Sequence, residues 1–239
     1  RQMCIRDSIN KFRGDLAILK PGVRMIEDLV NIPVVGLVPM EKIDIDDEDS
    51  LSEHLLAEEM TGGLDAAVIR LPHISNFTDF TAFERLEGVS LRYVDRVSKL
   101  GSPHLILIPG TKNTMADLRW MRNNGLEEQV IRLSGDGVTV MGICGGYQML
   151  GQYYKTWDGK QCDFTGALDL YTVGSEQRMI GNYMFTCDEA DCKIVGFENH
   201  SGKTYLGSGV KPLGKVLEGY GNNGEDGTEG CLLYTSDAA

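Results

Sequence analysis

Short, almost purely apolar runs alternate along this chain with segments of helical spacing. Leu64-Asp65-Ala66-Ala67-Val68-Ile69-Arg70-Leu71 has the pattern of a central parallel strand covered on both faces. Residues 89–94 alternate with period two. Residues 104–108 form a second buried run, stopped by Pro109-Gly110, and 138–143 a third. Helical spacing covers 83–86, 115–123 and 126–133. Upstream, residues 15–30 are helix-like but interrupted at Pro21-Gly22, with a second helix starting near Val23. Residues 32–39 read as a short strand closed by proline. Residues 44–50 (DIDDEDS) form an acidic loop, and 51–60 an amphipathic helix ended by Thr61-Gly62-Gly63. Strands alternating with helices at this spacing predict an α/β fold, a parallel sheet flanked by helices. In such sheets the site lies beyond the carboxyl ends of the strands.

Composition narrows the function classes. The 239 residues carry a net charge of −12, which argues against a partner held by its phosphate backbone, so no nucleic acid is expected. No run approaches the roughly 20 apolar residues of a membrane-spanning helix. Six cysteines without regular spacing suggest reduced thiols in a cytoplasmic protein. Cys187 and Cys192 have no matching His or Cys pair, and no metal site is expected.

The segment with most chemical content is Val140-Met141-Gly142-Ile143-Cys144-Gly145-Gly146-Tyr147-Gln148. A buried strand enters Gly-x-Cys-Gly-Gly and leaves as a helix, the context of a nucleophile elbow with cysteine in place of serine. Glycines on both sides allow the sharp turn that presents the Cys144 sulfur at the sheet edge. The helix N-terminus is expected to lower the thiol pKa. The Gly145 N–H is a candidate oxyanion donor, and Gly110, at the end of the neighbouring strand, is the second. Cys162, Cys187 and Cys192 are read as structural, as are His73 and His104, which flank strand ends.

GICGGYQMLG, LIPGTKNTMADLRW, LPHISNFTDF and GVSLRYV, with INKFRGD, IPVVGLVPM and IDDEDSLSE upstream, resemble cobyric acid synthase, a glutamine amidotransferase family of cobalamin biosynthesis. The resemblance covers about 9–151. From about 152 to 230, FTGALDLYTVGSEQRMIGNYMF, VGFENHSGKTYLG and PLGKVLEGYGNNGEDGTEG look like the amidotransferase subunit of lipid II isoglutaminyl synthase. The switch falls where both families share the GICGGYQ elbow, the place at which an assembly chimera would be joined. RQMCIRDS and CLLYTSDAA, at 1–8 and 231–239, resemble translated adapter sequence and are set aside.

The resemblance implies a class I glutamine amidotransferase-like, flavodoxin-like domain over 64–230. Residues 9–60 would be the tail of a P-loop-type, ATP-dependent synthetase domain, with Asn10, Lys11 and Asp15 from its nucleotide pocket. Cys144 would attack the side-chain amide of glutamine. Arg178 matches the arginine expected to hold the glutamine α-carboxylate, a task suited to a guanidinium fork. His200, in FENHSG where cobyric acid synthases are expected to have Tyr-Glu-Ile-His, would line the site. The catalytic His of both families is expected in a Gly-Thr-Tyr-x-His-Gly segment that this sequence does not contain, so these residues alone are expected to hydrolyse glutamine poorly or not at all, and a catalytically dead binding module is the alternative. No cofactor is expected in the glutaminase domain, and ATP with Mg²⁺ in the complete synthetase. The implied acceptor is a corrinoid acid, or alternatively lipid II with a Mur ligase-like partner subunit.

Overall fold

The computed structural model describes residues 5–40 and 63–233. The acidic loop at 44–50, the helix at 51–60 with His54, and the outermost residues of both end segments lie outside the described residues. The chain divides into two compact units, Arg1–Asp46 and Asp47–Ala239.

In the first unit, β1 (Asp7–Phe12) and β2 (Val34–Pro39) pair in parallel, with helix α1 (Leu16–Val30) between them in sequence. Asp15 caps α1 by accepting from the Ala17 N–H at 2.8 Å. Asn31 ends it in the left-handed region, its N–H donating to the Glu27 carbonyl. The break expected at Pro21-Gly22 does not occur. Proline there removes only the N–H that would reach Ala17, and two good caps hold the remaining ladder. Strand β1 escaped the sequence reading because DSINKF carries no apolar run and is mostly exposed.

Among the described residues, the second unit begins with β3 (Leu64–Ile69). A 3₁₀ turn (Phe77–Phe80), α2 (Thr81–Glu84), β4 (Val89–Val94), α3 (Val97–Leu100) and β5 (Leu105–Ile108) follow. Next come α4 (Thr114–Asn123), α5 (Leu126–Gly135), β6 (Thr139–Gly142) and α6 (Gly145–Met149). The four strands form a parallel sheet in the order β4-β3-β5-β6. Strand β3 is central, and Ala66 through Ile69 have no exposed surface. Leu118 and Met121 of α4 and Leu126, Val130 and Leu133 of α5 join the same core. At about 25 cal/mol per Å² of apolar surface, this cluster is the main stabilising term of the unit. Arg92 of β4 forks onto Asp65 of β3 at 2.7 and 2.8 Å, and His104 accepts from the Asp65 N–H, a structural role as expected. After β3 the chain adds β4 on one side and then crosses to place β5 on the other. The carboxyl ends of β3 and β5 therefore flank a topological switch point, where α/β sheets form their sites.

Beyond Gly151 the architecture changes. Strands β7 (Tyr153–Lys155), β8 (Gln161–Asp163), β9 (Leu170–Cys187), β10 (Cys192–Leu206), β11 (Gly214–Glu218) and β12 (Thr228–Glu229) build a second sheet. Its order is β12-β11-β9-β7-β8, with β10 also paired to β9. All pairings are antiparallel except β7 with β9. Residues 231–233 are described, and Leu232 pairs with Lys211.

Candidate active site

Cys144 stands where β6 turns into α6, with φ 50° and ψ −109°. The Gly146 N–H donates to the Ile143 carbonyl at 2.9 Å, closing a tight turn with Cys144 in its second position. These angles are those of a type II′ turn, where glycine is the usual occupant. A side chain held there stores strain of about 1–3 kcal/mol, which the surroundings must over-determine. They do so by closeness. A Cβ on Gly146 would lie 2.1 Å from the Ile108 carbonyl oxygen, and one on Gly142 2.6 Å from the Tyr147 nitrogen. Glycine at 142 lets β6 fold back tightly on α6, and glycine at 146 lets α6 approach β5.

Two loops converge on the turn. Gly110, just after β5, is near enough that a Cβ on it would stand 3.7 Å from the Cys144 Cβ and 3.2 Å from the Ser75 Oγ. A Cβ on Gly145 would meet the Thr111 methyl at 2.7 Å. Gly110, Gly145 and Cys144 are therefore gathered at one point, as the adjacency of β5 and β6 predicts. Residues 73–75, after β3, are tied to the same loop: the Ser75 N–H donates to the Gly110 carbonyl at 2.9 Å and the Lys112 N–H to the His73 carbonyl at 3.0 Å.

The expected fall in the Cys144 pKa is not what the site produces. Cys144 keeps an exposed surface, but the protein packed around its sulfur still pushes the thiol up from its ordinary 9.0. The Gly145 N–H, hydrogen-bonded to the sulfur, and the positive charge of Arg178 pull it down, while the carboxylates of Asp79 and Glu229 raise it further. Helix α6 has only five residues, so the partial charge at its N-terminus is small. Glu229 is itself pushed up to about 7 by burial and by Glu198. Tyr147, next on the elbow, buries its hydroxyl without a hydrogen bond of full geometry among the described residues, facing the Cys231 thiol. Burial raises both groups, Cys231 to about 11.

Arg178 and His200 come from the β9–β10 hairpin. Arg178 Nε and Nη2 donate to Asn199 Oδ1 at 3.1 and 2.8 Å, so the guanidinium is already oriented by its neighbour strand. The His200 Nδ1 lies 2.9 Å from the Gly202 carbonyl, which only accepts, and its Nε2 is 3.7 Å from Glu198 Oε2. Glu198 is buried and accepts from the Tyr220 and Gly221 N–H groups at 2.8 and 3.1 Å. The strand bends at Gly202, where a Cβ would meet the Gln148 amide nitrogen at 2.6 Å, so α6 and the hairpin touch.

Sequence reasoning missed Asp79, Glu198 and Glu229 as neighbours of this chemistry. Asp79 and Glu198 lie inside LPHISNFTDF and FENHSG, motifs that carried the resemblance, but nothing local marks which of their residues face the thiol. Cys162 and Cys187 sit away from the elbow, the first against Met115 and the second buried in β9, and Cys192 faces Cys187 across the hairpin. Among the described residues no His, Cys, Asp and Glu cluster could hold a metal ion. Asn10 and Asp15, expected from a nucleotide pocket, accept from the backbone N–H groups of Lys11 and Ala17. No described helix is long and apolar enough to cross a membrane.

Similarity to known proteins agrees with this geometry. The chain is 47% identical over 222 residues to a cobyric acid synthase of Ruminiclostridium cellulolyticum, covering 91% of this chain and 42% of that protein. It is 41% identical to that of Alkaliphilus metalliredigens, covering 88% and 45%, and 42% identical to that of Yersinia enterocolitica, covering 87% and 43%. Such spans exceed anything residues 9–151 could supply, so the likeness to cobyric acid synthase continues through the second sheet. The chain spans less than half the length of these relatives. A crystal structure of a glutamine amidotransferase superposes with a TM-score of 0.53 at 20% identity, over 63% of this chain and 79% of that one. The PurLQS structure from Thermotoga maritima also gives 0.53, at 17% identity over 70% and 80%. Both support the α/β amidotransferase fold. The family model for the CobB/CobQ-like glutamine amidotransferase domain matches residues 65–238, and the chain belongs to that family.

Proposed function

We propose that this domain hydrolyses glutamine through Cys144 and supplies the ammonia to a cobyric acid synthase. The observation that carries the reading is the cysteine held at φ 50° between Gly142 and Gly146 with Gly110 beside it. The Cys144 sulfur, as thiolate, adds to the glutamine side-chain carbonyl, and the developing oxyanion is received by the Gly110 and Gly145 N–H groups. Collapse of that intermediate forms a thioester and expels ammonia, the proton given up by the exposed Cys144 thiol reaching the leaving nitrogen through solvent. Water then cleaves the thioester to glutamate and frees the thiol. Arg178 takes the substrate α-carboxylate, and His200 lines the site. Arg178 fits its role twice over, since it pairs a carboxylate and favours the thiolate.

In the full-length parent the ammonia acceptor is a corrinoid acid whose carboxylate is activated in a synthetase portion using ATP and Mg²⁺, and the enzyme is cytoplasmic. No step of that activation runs through the residues described above. The alternative acceptor, a lipid-linked muropeptide handled with a Mur ligase-like subunit, rests on the 152–230 motifs.

A diazo-ketone analogue of glutamine tests the nucleophile. It should label Cys144 ahead of Cys162, Cys187 and Cys192, as read by peptide mass. Cys144→Ala should abolish both the label and glutamate release. Equal labelling of all four thiols overturns the reading. Amidation of a corrinoid acid, against a muropeptide, by the full-length parent decides the acceptor.

A further inference from the structure

The Gly110 loop is held by one buried carboxylate that the chemistry above does not use. Asp117, in the first turn of α4, has no exposed surface. Its Oδ1 lies 2.6 Å from His73 Nδ1, and its Oδ2 accepts from the His73 backbone N–H at 3.2 Å and from the Thr111 hydroxyl. Because a carboxylate only accepts, the His73 ring turns its Nδ1–H inward. Thr111 is the hinge of the arrangement. Its hydroxyl reaches Asp117 and accepts from the Asn113 N–H at 3.0 Å, and its methyl occupies the space beside Gly145. Ile74 bridges Thr111 from the β3 loop, and Ser75 binds Gly110.

We infer that Asp117, acting through Thr111 and His73, is the positioning residue that fixes Gly110 against Gly145 and so sets the spacing of the two oxyanion donors. The inference rests on the glutaminase reading above. Two N–H groups borne on different loops need a common anchor, because an oxyanion donor acts only within hydrogen-bond range of the place where charge develops. Asp117 is the group on which the β3 loop, the β5 loop and α4 meet. A carboxylate with three donors, closed off from water, has one low-energy geometry, and losing a donor leaves it under-satisfied.

The test compares wild type, Thr111→Val, Thr111→Ser and Asp117→Asn in the full-length parent. Thr111→Val keeps the methyl against Gly145 but loses the hydroxyl, while Thr111→Ser keeps the hydroxyl. Three quantities are read: diazo-ketone labelling of Cys144, alkylation of Cys144 by iodoacetamide, which needs no oxyanion site, and kcat against KM for glutamine. Thr111→Val is expected to slow labelling and kcat about 10- to 100-fold, below the ~10²–10³-fold of a donor lost outright. KM and iodoacetamide alkylation should stay within about twofold, and Thr111→Ser should restore the rate. Asp117→Asn should show the same split with a larger loss. Where Asp117→Asn does not fold, the Thr111 pair carries the result. Labelling and alkylation falling together in Thr111→Val, or kcat unchanged in it, overturns the positioning role while leaving the glutaminase reading intact. A wild type that the analogue fails to label at Cys144 overturns the reading and the inference with it.

Discussion

The two sheets of the second unit treat their side chains differently. In β3, five of six positions are buried, and the neighbouring strands differ mainly in how fully they share that core. In β9 and β10, eighteen and fifteen residues long, buried and exposed positions interleave, and Ile180, Val195 and Phe197 stand open to solvent. The thiol and its flanking glycines are delivered by the first kind of sheet, and Arg178 and His200 by the second. A buried parallel sheet fixes the ends of its strands to within small distances, which suits groups that must meet a transition state. A half-exposed hairpin tolerates change, which suits groups that select what is bound. The proposed nucleophile should therefore fail sharply when its sheet is altered, and the proposed binding groups gradually.

The sharpest break is Gly146→Ala. Its new Cβ would fall on the Ile108 carbonyl, backbone that cannot swing aside. The expected loss is at least about 3 kcal/mol in denaturant unfolding together with loss of Cys144 labelling. Folding with unchanged labelling would contradict the close packing of elbow and β5.

Glu229→Gln probes the second sheet through pH. The folded-state pKa of Glu229 is raised from 4.5 to about 7, so its proton stabilises the native state fully below the ordinary value, and that contribution is lost as pH rises through about 7. Glutamine cannot charge. The variant should match wild type near pH 4 and gain on the order of 1–3 kcal/mol by pH 8, measured by urea unfolding. A gain confined to acid pH would reverse the sign and refute the buried-carboxyl account.

Arg178→Lys should raise KM for glutamine about tenfold, equivalent to ~1.4 kcal/mol, with kcat changed less. Lysine keeps the charge but not the fork. A fall in kcat alone would move Arg178 from holding substrate to the reacting centre. Smallest of all, Phe197→Thr on the open face of β10 should shift stability by no more than about 0.5 kcal/mol. A large loss in thermal unfolding would mean that this face is covered.

The same contrast explains what could be read from the sequence. Strands β3 and β5 were legible because buried parallel strands are unbroken apolar runs, and the elbow because glycine on both sides of a cysteine has few other uses; β6 was read as buried too, but as the edge strand of its sheet it has no fully buried position. The long hairpin was recognised only by resemblance. Its alternation is interrupted by Gly174, Gly181, Gly196 and Gly202, and its register, set by pairs such as Phe197 with Asn182, is invisible in one dimension. Helix α1 ran through Pro21 because capping at Asp15 and Asn31 outweighs one missing bond. The thiol pKa was misjudged because desolvation depends on what packs around the sulfur, which no local motif encodes.

The left-handed backbone at Cys144 has an evolutionary reading. Glycine at that position would relax the turn, and by the usual cost of such angles the fold would gain about 1 kcal/mol or more. Selection for a working nucleophile and selection for a stable chain thus pull against each other at a single residue. A lineage released from the need to make ammonia would drift toward glycine there first, while Gly142 and Gly146, which the fold needs whether or not it reacts, would stay. In this chain the cysteine stands at that angle with both glycines beside it, so the turn carries the strain that a glycine would relieve.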